Sequence, residues 1–464
     1  MDVSFVDKLT QIINDCYEVL YQPFGLPVIL VAIGGWLSLR TGLIQIRHFG
    51  TALKFVSKGA FKKDTEGEGT ITPFQALSTA LASTVGNGNI GGVATAILVG
   101  GPGAIFWMWV CASVGMATKY AEAVLGVHFR VQTERGELAS GPMYYISKGL
   151  PWKGFARILA YMFCFFGAAT ALVGTGNMAQ SNTIARTFVE ASKTVLSIDV
   201  PLWVPGILIT IMVGLVLLGG IRRIASVAET LVPTMLVVYL VAGIAYVILN
   251  YEALPGVFAL IFKHAFSPSA AVGGFIGASV STAIAAGISR GVLSNEAGMG
   301  SAPIAHGIAK VNHPAEQGVV GIFEVFTDTI VVCSMTAFII LSSGMWTDPA
   351  YQAASGDLTA AALSTSIPFA SLIVAFCSFL FGFSTLIGWC YYGEKCFEYM
   401  FGTKTIVPYR ILFTGLIMLG SVVSVPLVWA LGTLLNGLMA IPNLIGLLFL
   451  SGVVAKLTRE YFGD

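Results

Sequence analysis

The chain has 464 residues, 56% of them hydrophobic and only 11% charged, with a formal net charge of +1. Soluble proteins carry about 25% charged residues, so this chain cannot cover a water-facing fold of its size, and a mean hydropathy of +0.81 marks an integral membrane protein. The balanced charge offers no basic surplus to nucleic acid, the apolar content excludes disorder, and seven scattered cysteines without a CxxC pair read as buried thiols.

A helix needs about 20 mainly apolar residues to cross a bilayer. Segments meeting that test run over 20–40, 73–99, 103–127, 155–185, 203–220, 227–250, 271–290, 316–342, 360–393, 407–424 and 427–455. They predict an all-α membrane protein with 11 transmembrane helices, spans 1 to 11. The short alternating segments of a β-barrel are absent from the sequence. Ahead of span 1, Asp2, Asp7, Asp15 and Glu18 stand against Lys8. That is not the basic start of a cleaved signal peptide, so span 1 is expected to stay.

Basic residues alternate between connectors. Arg40, Arg47, Lys54, Lys58, Lys62 and Lys63 follow span 1; Arg130, Arg135, Arg222, Arg290 and Lys395 fall after later odd spans, and Lys456 is in the tail. The other side holds Lys8, Arg186, Lys193 and Lys263. The positive-inside rule then puts the N-terminus outside and the C-terminus in the cytoplasm of a multi-pass cell-membrane protein.

Ser78–Ala82 in span 2 and Ser281–Ala285 in span 7 echo one another, five spans apart and therefore antiparallel. This predicts an extra N-terminal helix (1–45), a basic cytoplasmic segment (46–72) and two inverted five-helix repeats (73–250 and 271–455) with broken first helices, forming one transport unit.

In span 2, Thr84-Val85-Gly86-Asn87-Gly88-Asn89-Ile90-Gly91-Gly92 falls mid-membrane. Small-residue packing explains glycine there but not two asparagines. An unwound helix explains both, freeing carbonyls for a cation and N–H groups for a carboxylate. Span 7, with Gly273, Gly274, Gly277, Ser279, Ser281, Thr282 and Gly287, reads as the second break, with ordinary small-residue packing as the alternative. The polar stretch Ser294–Pro303 beyond it reads as a capped loop helix on the cytoplasmic side, a solvated connector in preference to a gate. In span 9, Ser384 and Thr385 place adjacent hydroxyls at mid-depth, able to complete an oxygen shell for a hard cation such as sodium. Trp389, one turn further, either closes the far end of a pocket or anchors at the membrane interface. Asn177 and Gln180 in span 4 suit substrate contact or helix–helix hydrogen bonding. Lys119 and Glu122 are spaced for an ion pair, whereas Glu324 and Asp328 have no cation nearby in sequence and keep proton coupling open.

Thr72-Pro73-Phe74-Gln75-Ala76-Leu77, the run Gly86–Gly92 and Ser294–Pro303 together resemble signatures of the alanine/glycine:cation symporter family, a branch of the amino acid–polyamine–organocation superfamily. The resemblance implies the inverted-repeat fold of the bacterial leucine transporter, sodium or sometimes proton coupling, and alanine or glycine as substrate. On that pattern, the inner sodium site falls on carbonyls of Ala82, Val85 and Phe381 and hydroxyls of Ser384 and Thr385. Substrate carboxylate falls on N–H groups of Asn87 and Gly88, with Gly86 also among the substrate-binding residues of the unwound stretch, and substrate amine on the Thr84 carbonyl and on span 7 around Ser279 and Ser281. Asn89 matches a side-chain ligand of a second sodium site.

The function expected is therefore sodium-coupled symport of small neutral amino acids, with Na+ as coupling ion and no organic cofactor. The alternative is a proton-coupled carrier of the same fold. An intramembrane enzyme is disfavoured because His48, His128, His264, His306 and His313 all fall in expected connectors or span ends, and a channel because no filter motif recurs.

Overall fold

The computed structural model describes residues 5–21, 25–59, 67–134, 136–270, 275, 277–351, 355–423 and 425–463. Asp2, Lys62, Lys63, Arg135, Gly273 and Gly274 lie outside the described residues. Helices α1 (Phe5–Tyr21), α2 (Leu26–Arg40), α3 (Ile44–Arg47) and α4 (Phe49–Gly59) lead to α5 (Pro73–Thr84). The start of α5 is written in its sequence. The Thr72 hydroxyl accepts the Gln75 amide, and the Gln75 side chain accepts the Thr72 amide, both at 3.1 Å. Pro73 follows at the first helical position, where its missing N–H costs nothing.

Beyond the break in span 2 come a π-helical turn (Gly88–Gly92), α6 (Val93–Gly100) and α7 (Gly103–His128). A small hairpin pairs β1 (Val131–Gln132) with β2 (Leu138–Ala139). Next are α8 (Pro142–Gly149), α9 (Lys153–Val173), α10 (Met178–Leu196), α11 (Trp203–Leu217), α12 (Gly220–Leu249), α13 (Leu254–Phe266), α14 (Val280–Asn295) and α15 (Pro303–His306). The chain closes with α16 (Pro314–Val325), a π-helical segment (Phe326–Cys333), α17 (Ser334–Ser343), α18 (Ser355–Ser364), α19 (Ala370–Phe401), α20 (Ile406–Val422) and α21 (Val425–Phe462).

Seven helical stretches among the described residues are long and apolar enough to cross a membrane: Val19–Arg40, Lys153–Lys193, Gly220–Leu249, Pro314–Ser343, Ala370–Phe401, Thr403–Val422 and Leu427–Phe462. Gly88–Gly100 and Trp203–Leu217 are apolar but shorter. The exterior suits lipid. Leu208, Ile211 and Leu215 on α11, Val237, Val241 and Ile248 on α12, and Ile411 on α20 are exposed, while Asn89, Lys119, Glu122, Glu324 and Asp328 are fully buried. Polar groups face the interior because hydrocarbon offers them no partner.

Several sequence boundaries move. Span 4 is interrupted at Gly174–Asn177, between α9 and α10, where Gly-Thr-Gly supplies weak helix formers. Span 9 is α19 alone, since 360–364 belong to the separate helix α18. The 250–271 connector contains α13, too short to register as a span. Its Phe258, Phe262 and Phe266 pack on Phe106, Trp107 and Trp109 of α7.

The largest correction concerns span 7. The expected break at 273–287 is regular helix from Val280, and α14 runs unbroken to Asn295. The chain unwinds at Glu296, whose backbone is left-handed (φ 56°), and stays irregular through Gly298 and Gly300 (φ 90° and 83°) to Pro303. Ser294–Pro303 is therefore buried interior, not a solvated connector. Helix α7 lies between α14 and α16, and α19 lies against α5, α9, α10 and α12. The two interrupted helices meet where these groups join.

Candidate functional site

At the end of α5 the ladder is cut by side chains. The Gly86 amide donates to Asn89 Oδ1 (2.9 Å) and the Asn87 amide to Gln180 Oε1 (3.4 Å). Those are the N–H groups that would have closed onto the Ala82 and Ser83 carbonyls, so both oxygens lose their usual intrahelical partners. Gly88 opens the next helical segment, so its amide has no intrahelical acceptor, while the Asn89 amide closes back on the Gly86 carbonyl at 3.0 Å. One helix thus presents carbonyls from one side of the break and an N–H group from the other.

The asparagines hold this shape. Asn87 Nδ2 donates to Gln180 Oε1 (3.0 Å), and Asn87 Oδ1 accepts from Ser378 Oγ (2.6 Å). Asn89 Nδ2 reaches Ser294 Oγ (2.9 Å) and Asp328 Oδ1 (2.7 Å). Asp328 also accepts from Ser294 and Thr329, at 2.7 and 2.8 Å. It sits in the π-helical segment of span 8, a distortion frequent at functional sites. Ser294 belongs to the last turn of α14, so the first break is tied directly to the second.

The second break is held by Glu122. Its Oε1 accepts the Gly298 and Gly300 amides (3.2 and 3.0 Å) and the Asn443 side-chain amide (2.7 Å). Glu122 is therefore not the partner of Lys119. Lys119 Nζ lies 3.1 Å from Glu324 Oε1, and His306 Nε2 lies 2.7 Å from Glu324 Oε2, with the Gln317 amide donating to His306 Nδ1 at 2.6 Å. The cation that Glu324 lacks in sequence thus comes from α7, with the His306 imidazole of α15 bonded to its other oxygen, and His306 is interior rather than at a span end.

A small cavity of about 30 Å³ lies between the breaks and α19. Ser83, Thr84, Gly86, Gly88, Gln180, Glu296, Thr385 and Trp389 line it. Thr385 faces Gly86 so closely that a Cβ on the glycine would stand 2.7 Å from Thr385 Oγ1. Ser384 turns aside, its Oγ 3.5 Å from the Met235 sulfur. Both hydroxyls donate back to the Phe381 carbonyl, at 2.8 and 2.9 Å, the usual resting bond of a mid-helix hydroxyl. Trp389 is 1% exposed, which removes the interface-anchor reading. Its indole packs on Gly176, where a Cβ would come within 2.7 Å, and its Nε1 donates to Glu296 Oε1 (3.0 Å). Ser301 donates to the other oxygen of Glu296.

Of the residues expected from sequence, Thr84, Gly86, Gly88, Gln180, Thr385 and Trp389 line one cavity; Ala82, Val85, Asn87 and Phe381 are buried beside it. Ser384 and Asn89 are outside the lining, turned to Met235 and to Ser294 and Asp328, and three more do not join them. Ser279 and Ser281 are exposed at the N-terminus of α14, where Ser279 caps the helix by accepting the Thr282 amide (3.1 Å). Asn177 donates to the Phe413 carbonyl (2.8 Å), a helix–helix bond to α20. Sequence reasoning missed Glu296 and Arg290, both in the lining. Glu296 stood inside a recognised motif, and a carboxylate bracketed by Gly298 and Gly300 was the available signal.

The fold that brings these elements together is shared with solved structures. The fold superposes on MhsT in complex with L-phenylalanine with a TM-score of 0.56, at 14% identity, over 86% of this chain and 99% of that one. Sequence comparison decides the family: the profile of the sodium:alanine symporter family matches residues 6–464. The chain belongs to the sodium:alanine symporter family. It is a multi-pass membrane transporter, not an enzyme. The sodium/alanine symporter AgcS of Methanococcus maripaludis is 47% identical over 453 residues, covering 97% of this chain and 96% of that protein. The probable sodium/glutamine symporter GlnT of Bacillus subtilis is 38% identical over 459 residues, covering 98% and 91%.

Proposed function

We propose that this member of the family couples sodium entry to uptake of alanine, glycine and similar small neutral amino acids by alternating access. The observation carrying the reading is the cavity where unpartnered carbonyls of α5, the Thr385 hydroxyl, the Gly88 amide, the Glu296 carboxylate and the Trp389 indole converge. Sodium is assigned to the carbonyls of Ala82, Val85 and Phe381 and the hydroxyls of Thr385 and Ser384. These oxygens suit a hard cation, and α5 and α19 are close enough that a Cβ added at Gly86 would stand 2.7 Å from Thr385 Oγ1. Asn89, already bonded to Gly86, Ser294 and Asp328, is assigned to holding the break rather than to a second ion.

The substrate carboxylate is assigned to the Gly88 amide and the Gln180 side-chain amide, the Gly86 and Asn87 amides being held by Asn89 and Gln180 to shape the break, and its ammonium to the Thr84 carbonyl and Glu296. Trp389 limits the side chain. One sodium suffices for uptake against a gradient: about 100 mV contributes ~2.3 kcal/mol per charge, and a tenfold sodium gradient ~1.4 kcal/mol. Together these support roughly five-hundred-fold accumulation. The placing of the breaks in α5–α6 and α14–α15 supports reading 73–250 and 271–455 as inverted repeats, and the basic connectors support an external N-terminus and a cytoplasmic C-terminus.

Proton coupling remains the second reading, because among the described residues Glu122 and Asp328 take their hydrogen bonds from neutral donors only. Uptake of labelled alanine into proteoliposomes, with sodium and proton gradients imposed separately, tests both. Accumulation driven by sodium at equal pH supports sodium coupling. Accumulation driven by a pH gradient without sodium overturns it.

A further inference from the structure

Arg290 was counted among the basic connectors, yet it stands inside α14, five residues before the helix end, and lines the cavity. Its place there is unusual. An arginine in a membrane-embedded helix ordinarily pairs or faces water, and among the described residues its guanidinium makes no ion pair or hydrogen bond. It is partly exposed, as are Gly88 and Gly92 across the cavity, whereas Ser83, Thr84, Glu296 and Trp389 are buried. Arg290 is thus at the open end and Glu296 at the closed end. Helical side chains lean toward their own N-terminus, so the guanidinium leans away from Glu296 and toward the mouth. Its Cα is already about 7.5 Å of helix rise from the end of α14.

We infer that Arg290 sets charge selectivity at the mouth of this cavity, drawing in the substrate carboxylate and turning away amino acids with cationic side chains. The two charges act at opposite ends. A neutral zwitterion satisfies both: its carboxylate is drawn to the guanidinium on the way in, and its ammonium finds Glu296 at the floor. A cationic side chain meets repulsion at the mouth, and an anionic one meets the buried carboxylate of Glu296, which already faces Trp389 and Ser301. Because the mouth is partly hydrated, the attraction is that of an exposed ion pair, equivalent to about a three- to fivefold effect on binding.

The inference rests on the transport reading above, and one set of proteoliposome measurements separates the two. Sodium-dependent alanine uptake by the unaltered protein tests the transport reading; with no such uptake, both fall. Given that uptake, Arg290→Gln should raise the half-saturating alanine concentration three- to fivefold, with a smaller effect on maximal rate, and flatten its dependence on ionic strength. Arg290→Lys should retain most of the wild-type behaviour. Competition by 2,4-diaminobutyrate and by its neutral isostere norvaline reads selectivity directly: the preference for norvaline should narrow in Arg290→Gln and narrow further in Arg290→Glu. If alanine half-saturation and the norvaline preference are unchanged in Arg290→Gln, the inference is wrong. Equal loss of maximal rate in Arg290→Gln and Arg290→Lys, without change in half-saturation, would make Arg290 a packing residue and overturn it too.

Discussion

Replacing Gly86 by alanine probes the meeting of α5 and α19 with a single methyl group. The new Cβ would stand 2.7 Å from Thr385 Oγ1, and reaching an ordinary 3.4 Å contact needs about 0.7 Å of movement. Thr385 cannot yield freely, because its hydroxyl donates to the Phe381 carbonyl at 2.9 Å within α19. Nor can the backbone, whose Gly86 amide is fixed by Asn89. Overpacking of this kind costs about 1–3 kcal/mol. Expressed on ion binding, that raises the half-saturating sodium concentration roughly 5- to 150-fold. Gly88 is the internal comparison, since a Cβ there meets nothing within 4 Å. Gly88→Ala narrows the cavity and should disfavour larger substrates while leaving half-saturating sodium within about twofold of wild type. Alanine uptake across a sodium titration, with thermal unfolding in detergent to check folding, measures both variants. Unchanged sodium dependence in Gly86→Ala would refute the assignment of sodium to the α5–α19 contact, most clearly if Gly88→Ala shifted it instead.

Thr385→Ala should raise half-saturating sodium several-fold and weaken alanine mainly at low sodium, because the two binding events are linked; Ser384→Ala should shift it less, since that hydroxyl faces Met235 rather than the cavity. Trp389→Leu should weaken alanine and favour valine or leucine, at about 0.8 kcal/mol per buried methylene, and competition in proteoliposomes would show the crossover or a uniform loss. Lys119→Met strands the buried Glu324 carboxylate beside His306 and should destabilise the fold by about 3–5 kcal/mol, whereas Lys119→Met with Glu324→Leu should recover much of it; thermal unfolding distinguishes the two. In a cysteine-free background, single cysteines near Lys58 and Arg222 should resist impermeant maleimide in intact cells while those near Lys193 and Lys263 label; the opposite pattern would invert the membrane orientation.

The sequence alone determined the class of this protein. Composition demands a membrane solvent, and long apolar runs demand helices, because only helices and closed barrels satisfy every backbone group in hydrocarbon. It also located the first break, since Gly86-Asn87-Gly88-Asn89 combines weak helix formers with side chains able to take over amide bonds, and it singled out Thr385 and Trp389. These are local properties, legible in a few consecutive residues. The second break was not local. Helix α14 carries glycines without unwinding, because the small residues there admit close neighbours: a Cβ on Gly287 would collide with the Ala104 carbonyl of α7. The actual break at Glu296 depends on Glu122 and Asn443, 174 and 147 positions away in the chain, whose side chains replace its lost helical bonds. The charge partners were hidden for the same reason. Lys119 and Glu122 share one helix, yet each turns to a different neighbour, Glu324 on α16 and the amides of the second break. Periodicity can place a charge on a helix face, but only the packing of that face against others decides what the charge meets.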